Sequence, residues 1–585
     1  MSLLFAPVCA FLFWTVLNLK KSSKNLNGIE WIFVSIIVIL CYGTIWAGVI
    51  NLIHIPVTIL SMGIIYLLTA GVLLWFNKKN GTQTYDWYKY DIFFVLAIFV
   101  IVIFFMIKYF SVHAFLIYYN SDSSVHFMNA AACVRQKDVS DMFFAPLHCA
   151  LFIETLKPFI KEVEWYKFFI LYDAGMFCLE IIFFFVMIRE FLKNNWMKCL
   201  AVVICVFYAC GYPMNSFLYS FLYLGQSVMI IGFIMYILRC YADRGFNRTF
   251  AKICIMLGCG TITVTYMLFG PITYIATFVV IMLVMIKEGK LVQRRNIVTM
   301  LLIFVLPCVI SLYYSLVDFI KSQGLQVAQV VSNEGGNYRE LYINFIWIIP
   351  LIIYGIIKKI KAKKIDETFI FMVSFLLMEA VLLVFTVRGI MSPYYYYKFY
   401  YPMWLIMFVF ATEGCEELLK QSKEFVIAGL CTFGIIALLA FTDSESKIIA
   451  KAPALTYVDR SSGMFDIYKN NKTLFAWRFR MYNDEMIDIC DYVISDLNSD
   501  KVIPLLTTSE QYVFLYWYEG ITGNDCTGYL GWQYEFNELM DKIKNDGLEY
   551  YVVFKNTNIY TANCEYFDNQ EHIYENEFGY VIKVQ

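Results

Sequence analysis

Charged residues are scarce in this chain, at 16% of its 585 residues, and histidine occurs only 5 times. A soluble protein of this length needs far more polar surface, so a soluble globular class is excluded. The formal net charge is -1, and no basic stripe with interleaved aromatic residues gives a sign of a nucleic-acid partner. Hydrophobic residues make up 60% of the chain and aromatic residues 19%. This composition predicts a polytopic α-helical membrane protein.

The cysteines do not form the pattern of a disulfide framework, because most of the 17 fall inside apolar segments. In those segments they serve as small membrane-buried hydrophobic residues. Spacing alone leaves a disulfide open among the five that lie outside, which are Cys133, Cys149, Cys490, Cys526 and Cys564.

About fourteen apolar segments reach the roughly 20 residues that a bilayer-crossing helix needs. The region 250–287 is counted as two spans because Gly270 and Pro271 favour a break between them. The predicted spans are 2–19, 31–52, 55–76, 90–110, 167–189, 197–215, 218–239, 250–268, 270–287, 296–318, 342–360, 367–388, 397–414 and 424–442.

Loops rich in Lys and Arg follow every second predicted span, beginning with Lys20 and Lys21 after the first and Lys78 and Lys79 after the third. Basic loops lie on the cytoplasmic side of a membrane protein. The pattern therefore predicts that both termini are extracytoplasmic. Four segments are predicted on the same outer face, namely 111–166, 319–341, 389–396 and everything after 443.

The last of these segments differs in composition, since Asp, Glu, Asn and Lys occur throughout it. Strand-like runs at 501–506 and 549–554 each follow a helical pattern, at 484–497 and 534–545. Alternating helix and strand predict a small α/β domain outside the membrane, with a scaffold or acceptor-binding role favoured. The predicted organisation is 1–89 for three N-terminal transmembrane helices, 90–442 for a membrane core with outer loop 111–166, and 443–585 for this domain.

The outer loop 111–166 carries the polar residues that chemistry would need. A short amphipathic helix is predicted from Asn120 or Ser121 to about Gln136, with a second from near Pro146. Asp122 lies in the first turn of the first helix, and His126 lies four residues on, on the same face. Spacing alone leaves open that Asp122 only stabilises the helix N-terminus.

Three short motifs resemble the GT-C glycosyltransferases, which are polytopic enzymes that use lipid-linked sugar donors. Ser121-Asp122 resembles the segment of the family's catalytic acid in its first large outer loop, and Ala145-Pro146-Leu147-His148 resembles its Pro-Pro-Leu-Tyr-like segment. Lys398-Phe399-Tyr400-Tyr401-Pro402 resembles the Arg-Tyr…Pro stretch that opens a late helix. The chain departs from the family by a Lys in place of Arg, by a single acid and by three additional N-terminal spans.

The resemblance implies a GT-C-like core similar to mannosyl- and aminoarabinose transferases that use dolichyl or undecaprenyl phosphate carriers. Such an enzyme moves a sugar, with inversion, from a polyprenyl-phosphate donor to a glycan, lipid or protein acceptor outside the cytoplasm. Asp122 is the candidate general base. Arg388 and Lys398 are candidates for binding the donor phosphate, with snorkelling at the interface as the alternative. Supporting candidates are His126, His148, Asp138 and Asp141, and Asn333 and Glu334 lie in a glycine-containing outer loop that is expected to move.

Other readings stay open at this point. One firm carboxylate is too few ligands to define a hard-metal site, so a requirement for Mg²⁺ or Mn²⁺ is left open. Asp173, Glu180 and Glu379 lie within or near spans, which keeps a lipid or solute transporter (flippase) as an alternative. A polysaccharide polymerase or ligase would also act on lipid-linked sugars, and a non-enzymatic assembly protein would use 443–585. Compact loops favour a bacterial cytoplasmic membrane, with membrane lipids as surroundings.

Overall fold

The structure is a computed structural model, and most of the chain in it forms helices. It describes residues 2–117, 121–139, 146–189, 191–192, 195–289, 293–321, 343–345, 347–363, 365–420, 429, 466–476, 480–497 and 501–585. Helices are the expected form of an apolar chain in lipid, because each backbone N–H and C=O must find its partner within the segment.

The helices of the N-terminal and central part follow one another with short connections. In chain order they are α1 (Ser2–Asn18), α2 (Gly28–Leu52), α3 (Ile59–Asn80), α4 (Lys89–Phe110), α5 (Ser121–Gln136), α6 (Leu147–Leu156), α7 (Trp165–Ile188), α8 (Asn195–Cys210), α9 (Tyr212–Leu218), α10 (Leu222–Ala242), α11 (Arg248–Thr265), α12 (Gly270–Lys287), α13 (Arg294–Lys321), α14 (Ile349–Lys361), α15 (Glu367–Val387), α16 (Pro393–Lys398) and α17 (Tyr400–Leu419). A short parallel pair joins β1 (Leu26–Asn27) to β2 (Tyr85–Asp86).

Seven described segments are long and apolar enough to cross a membrane, which confirms the predicted multi-pass class. They are Gly28–Leu52, Ile59–Asn80, Lys89–Phe110, Glu162–Ile188, Leu222–Ala242, Met267–Lys287 and Glu367–Val387. The helices Leu200–Cys210 and Tyr212–Leu218 meet at a bend of 45° and make an eighth if they are one span. The total of fourteen stays a prediction, because 2–19 and 296–318 correspond to shorter apolar helices and 424–442 lies almost wholly outside the described residues.

The break predicted at Gly270-Pro271 is present. Helix α11 ends at Thr265, a 3-10 turn covers Met267–Phe269, and α12 begins at Gly270. Proline fits the first turn of a helix because its missing N–H has no intrahelical partner to lose there. The local sequence therefore sets the point at which the chain turns back.

A buried ion-pair cluster ties three helices together at one end of the bundle. Arg189, directly after α7, pairs with Glu30 of α2 at 3.2 Å and also contacts Asp91 of α4. All three side chains are nearly shielded from solvent. Removing one member would leave an uncompensated buried charge, so the cluster fixes how α2, α4 and α7 sit relative to one another.

Helices α14 and α17 pack so closely that their backbones are in contact. A Cβ atom added to Gly414 would lie 2.0 Å from the carbonyl oxygen of Leu351, and one added to Gly355 would lie 2.9 Å from the Cα of Gly414. Small residues are typical of close helix packing in membranes. Lys359 of α14 adds an ion pair to Glu413 of α17 at 2.7 Å.

The C-terminal part forms a small α/β unit, as the sequence predicts. Its sheet has the antiparallel order β3 (Tyr550–Phe554), β5 (Gly579–Lys583), β4 (His572–Asn576). Helix α18 (Asp466–Ala476) precedes the unit and packs against the membrane part, where Asn471 donates to the carbonyls of Cys210 and Gly211. The helices of the unit are α19 (Asp484–Ser495), α20 (Tyr512–Thr522), α21 (Phe536–Asn545), α22 (Asn558–Ala562) and α23 (Cys564–Asp568). The helices predicted at 484–497 and 534–545 and the strand at 549–554 are therefore present within a few residues.

The strand predicted at 501–506 does not form a full ladder. Leu505 makes an isolated parallel bridge to Val552, and the amide of Val552 donates to the carbonyl of Pro504 at 2.8 Å. Proline has no N–H to donate, so this segment pairs with the sheet at only two or three positions. The five cysteines outside the spans are free thiols, so the disulfide left open by their spacing is not formed.

Candidate active site

Asp122 stands in the first turn of α5, as the sequence predicts, and is partly buried there. The turn is attached to the segment ahead of α10, because the hydroxyl of the buried Ser123 donates to the carbonyl of Tyr219 at 3.4 Å. A carboxylate in the first turn is stabilised by the helix dipole. This structural role does not exclude a chemical role, which depends on the groups around Asp122.

Lys398 ends the short helix α16 and is only 3% exposed. Its Nζ donates a hydrogen bond to the hydroxyl of Tyr223 at 3.2 Å. The same atom lies 3.8 Å from the ring centre of Phe221 and 4.8 Å from that of Tyr394. No carboxylate of the described residues forms an ion pair with Lys398. A buried cation with aromatic neighbours and no close counter-ion is suited to receive an anionic ligand.

Asp122 and Lys398 are electrostatically coupled although 276 positions of sequence, from 122 to 398, separate them. Burial raises the pKa of the Asp122 carboxyl above its ordinary value, and the charge of Lys398 opposes that rise. Burial lowers the pKa of Lys398, which lies in α16 outside the seven spans, to about 8, and the charge of Asp122 opposes that fall. The carboxylate is thus a stronger base than an ordinary aspartate.

His126 lies one turn after Asp122, and its ring centre is 5.2 Å from that of Tyr223. Burial, with the positive charge of Lys398, lowers the pKa of His126 to about 3. The imidazole is therefore neutral at pH 7 and can donate or accept one hydrogen bond from each ring nitrogen, according to its tautomer. It adds no positive charge for a phosphate.

Aromatic residues that begin with Tyr223, whose ring is near His126 of α5, line the site. The ring of Tyr223 packs against Tyr266 at 4.8 Å, Tyr266 against Phe269 at 4.8 Å, and Phe269 against Phe399 at 5.1 Å. From sequence alone, Tyr219, Phe221 and Tyr223 fall at the start of the predicted span 218–239, and their role in the site is not predicted. Three aromatics at alternate positions in a connection between helices were the available signal.

The connection that contains Phe221 is held in place at Ser220. Ser220 has a positive φ of 52°, a conformation that costs free energy for a residue with a Cβ. Its hydroxyl donates to the carboxylate of Asp173 in α7 at 2.6 Å, and both side chains are buried. Asp173, considered from sequence as a transporter residue, here holds the loop that carries the aromatic neighbours of Lys398.

Three other predicted site residues lie elsewhere. His148 in α6 is buried against α2, where its Nε2 is 2.9 Å from the carbonyl of Leu40 and 3.0 Å from Thr44 Oγ1, and burial lowers its pKa to about 4. Arg388 is exposed after α15, and no side-chain contact of it is described. Asp138 is half-buried, and Cys133 and Tyr314 are among its electrostatic neighbours.

The remaining candidates Asp141, Asn333 and Glu334 fall outside the described residues. Within the described ranges, no group of three or more His, Cys, Asp or Glu side chains could hold a metal ion. The arrangement at Asp122 can remove a proton from a bound hydroxyl and can hold an anion at Lys398.

No family model and no curated protein matches this chain. Among solved structures, the chain is similar to ArnT from Cupriavidus metallidurans. The form bound to undecaprenyl phosphate matches at 11% identity with a TM-score of 0.47, and the apo form at 10% identity with a TM-score of 0.46. Each match covers 84% of this chain and 98% of the ArnT chain. A likeness at this level assigns no residue role, donor or acceptor to this chain.

Proposed function

We propose that this chain is a membrane glycosyltransferase that moves a sugar from a polyprenyl-phosphate donor to an extracytoplasmic acceptor in a bacterial cytoplasmic membrane. The observation that carries the proposal is the coupled pair of Asp122 and Lys398. It combines a carboxylate of raised pKa with a buried cation that has no close counter-ion among the described residues. Base and phosphate ligand are the two groups that this reaction requires.

The reaction can be followed atom by atom. Asp122 accepts the proton of the acceptor hydroxyl while the acceptor oxygen forms a bond to the anomeric carbon of the donor sugar. The bond from that carbon to the phosphate oxygen breaks, and its electron pair leaves with the polyprenyl phosphate. Lys398 stabilises the negative charge that develops on the departing phosphate. Attack on the face opposite the leaving group inverts the anomeric carbon.

The aromatic neighbours contribute to this chemistry by excluding water. Phe221 and Tyr394 cover the ammonium of Lys398, and charge interactions are stronger where the local dielectric is low. The hydroxyl of Tyr223 fixes the position of Nζ. An incoming phosphate oxygen would thus meet a cation that is already oriented, which reduces the reorganisation needed during the reaction.

One observation favours the transporter alternative. Glu379 in the membrane helix α15 is fully buried, and neither of its carboxylate oxygens has a hydrogen-bond partner among the described residues. Buried ionisable groups in membrane helices often mark ion or substrate pathways. Glu379→Gln separates the two readings, since a transferase should consume donor normally with this change and a transporter that uses Glu379 should lose its transport.

The experiment that tests the proposal compares wild type with Asp122→Asn in lipid nanodiscs supplied with a panel of labelled polyprenyl-phosphate sugars and membrane-extract acceptors. The matched control is Asp138→Asn, which changes a carboxylate of the same loop. We expect Asp122→Asn to lower donor consumption by about 10² to 10⁴-fold at equal protein abundance, as for loss of a general base. Asp138→Asn should stay near wild type.

Two outcomes would contradict the proposal. If a folded Asp122→Asn variant consumes donor as fast as wild type, Asp122 is a helix-stabilising residue and the chemistry lies elsewhere. If folded wild-type protein leaves every donor of the panel intact, the transferase reading itself fails and the transporter reading takes its place.

A further inference from the structure

The C-terminal unit is in direct contact with α5, the helix that carries Asp122. Contact occurs in the middle of α5, at Phe127, and at its end, at Arg135. Both contacts are made to α20 of the C-terminal unit, within Trp517–Gly523. The outer loop and the C-terminal unit, which the sequence places on one face, thus form one continuous interface.

The guanidinium of Arg135 donates two hydrogen bonds to the C-terminal end of α20. Its Nη1 donates to the carbonyl of Gly520 at 3.1 Å, and its Nη2 donates to the carbonyl of Ile521 at 2.7 Å. These carbonyls belong to the last turn of the helix, where no intrahelical donor is available and a cation is favoured. Nε pairs with Glu162 at 2.7 Å, which fixes the plane of the guanidinium.

Two glycines on the surface of α20 and at its end leave room for Phe127 and Arg135 of α5. A Cβ atom added to Gly520 would lie 2.7 Å from the ring of Phe127, which stacks on Trp517 with ring centres 5.4 Å apart. Gly523 adopts a φ of 79°, and a Cβ there would approach Arg135 Nε to 3.0 Å. Glycine at both positions lets the backbone of α20 reach α5.

An isolated helix of the length of α5 is marginal in water, so its position depends on the packing around it. Phe127 also contacts Phe169 of α7 at 5.7 Å, and Ser123 is hydrogen-bonded to the Tyr219 carbonyl. The membrane part therefore contacts α5 at Ser123, at Phe127 and, through Glu162, at Arg135, and α20 holds the second half of the helix from the C-terminal unit. The membrane part and α20 together set the angle of α5. That angle in turn sets the distance from Asp122 to Lys398.

We propose that the C-terminal unit positions the base of the membrane site, with Arg135 as the positioning residue. The inference rests on the proposed function for the role of Asp122. Arg135 touches neither substrate nor reacting atoms, and it acts by holding α5. This goes beyond a scaffold or acceptor-binding role, because the C-terminal unit would then influence kcat by holding the helix that carries Asp122.

The test uses the full chain in nanodiscs and compares Arg135→Met with Lys161→Met. Lys161 is the matched control, because its Nζ also joins the outer loop to the C-terminal unit, at Asp491, 2.5 Å away, but it lies outside α5. We expect Arg135→Met to lower kcat by about 10 to 100-fold, the scale of a catalytic group displaced by about 1 Å. The acid limb of kcat/KM should also move, while the KM for acceptor and the Lys161→Met variant stay near wild type.

Arg135→Lys serves as the conservative variant if Arg135→Met does not fold, and it should keep part of the activity through a single contact. Hydrogen exchange of amides 123–136 gives a readout that does not need activity, and we expect faster exchange in Arg135→Met than in Lys161→Met. Normal kcat and unchanged exchange in a folded Arg135 variant would overturn the inference. A change confined to the acceptor KM would overturn it in favour of an acceptor-binding role.

Failure of the proposed function is distinguishable from failure of this inference. If wild type consumes no donor, the transferase reading fails, whereas exchange of α5 still reports whether α20 holds the helix. If wild type is active and Asp122→Asn is inactive, while Arg135→Met has normal kcat and exchange, only the positioning role is wrong.

Discussion

The charge at Lys398 gives the most direct test of the site, because a substitution that keeps the charge and one that removes it should change the pH dependence differently. In wild type, kcat/KM should fall on the acid side as Asp122 is protonated and on the alkaline side as Lys398, with a pKa of about 8, loses its proton. The proposed donor, a polyprenyl-phosphate sugar, is a phosphodiester that does not titrate between these limits. The two limbs belong to the coupled pair rather than to either residue alone.

Lys398→Arg should abolish the alkaline limb, because a guanidinium stays protonated throughout the measurable range. Lys398→Met should move the acid limb to higher pH, since the charge that opposes the raised pKa of Asp122 is gone. The rate at the optimum should also fall by about 10² to 10³-fold, the usual cost of losing one electrostatic contact to a developing anion, or about 3 to 4 kcal/mol in the barrier.

The fold should survive this change. Among the described residues, the ammonium has one hydrogen bond, to Tyr223, and aromatic contacts at 3.8 Å and 4.8 Å. A charged hydrogen bond contributes about 1.5–3 kcal/mol and a desolvated cation–π contact about 2 kcal/mol. Burying the charge costs several kcal/mol in the opposite direction. The net change in the free energy of unfolding for Lys398→Met should therefore be small.

The assay is donor consumption between pH 5 and 10 for the three proteins in nanodiscs, with thermal unfolding recorded in parallel. A folded Lys398→Met variant with a wild-type rate and pH profile would refute the phosphate role of Lys398. An alkaline limb that persists near pH 8 in Lys398→Arg would show that another group titrates there.

Two further predictions concern stability. His148→Leu should lower the free energy of unfolding by about 0.5–1.5 kcal/mol, because the Thr44 hydroxyl and the Leu40 carbonyl lose their contacts with the imidazole and keep the hydrogen bond of 3.0 Å that they make with each other. Specific activity of the folded protein should not change, and a catalytic loss at normal stability would show that His148 belongs to the site. Gly414→Ala should destabilise the α14–α17 contact by about 1–3 kcal/mol through overpacking, measured by thermal unfolding. Gly175→Ala in α7 is its control, since a Cβ there meets nothing within 4 Å, and equal effects of the two changes would contradict the close approach.

The membrane class could be predicted from sequence because it depends on runs of apolar residues, which are local. The break at Gly270-Pro271 was predictable for the same reason, since proline acts on the residues next to it. The strand at 549–554 was also correct. The segment 501–506 was not a full strand, because Pro504 limits its pairing with β3, a contact with residues nearly fifty positions away.

For the site, the sequence alone identified Asp122 as a first-turn carboxylate with His126 on the same face, because helical spacing is a local rule. It could not separate Lys398 from Arg388, since both are basic residues near the ends of apolar segments. Only the tertiary structure buries Lys398 among Phe221, Tyr223 and Tyr394, where its charge acts on Asp122, and leaves Arg388 exposed. It also gives His148 a partner on α2, which removes it from the site. Burial and charge coupling between distant segments arise from packing, and no local pattern encodes them.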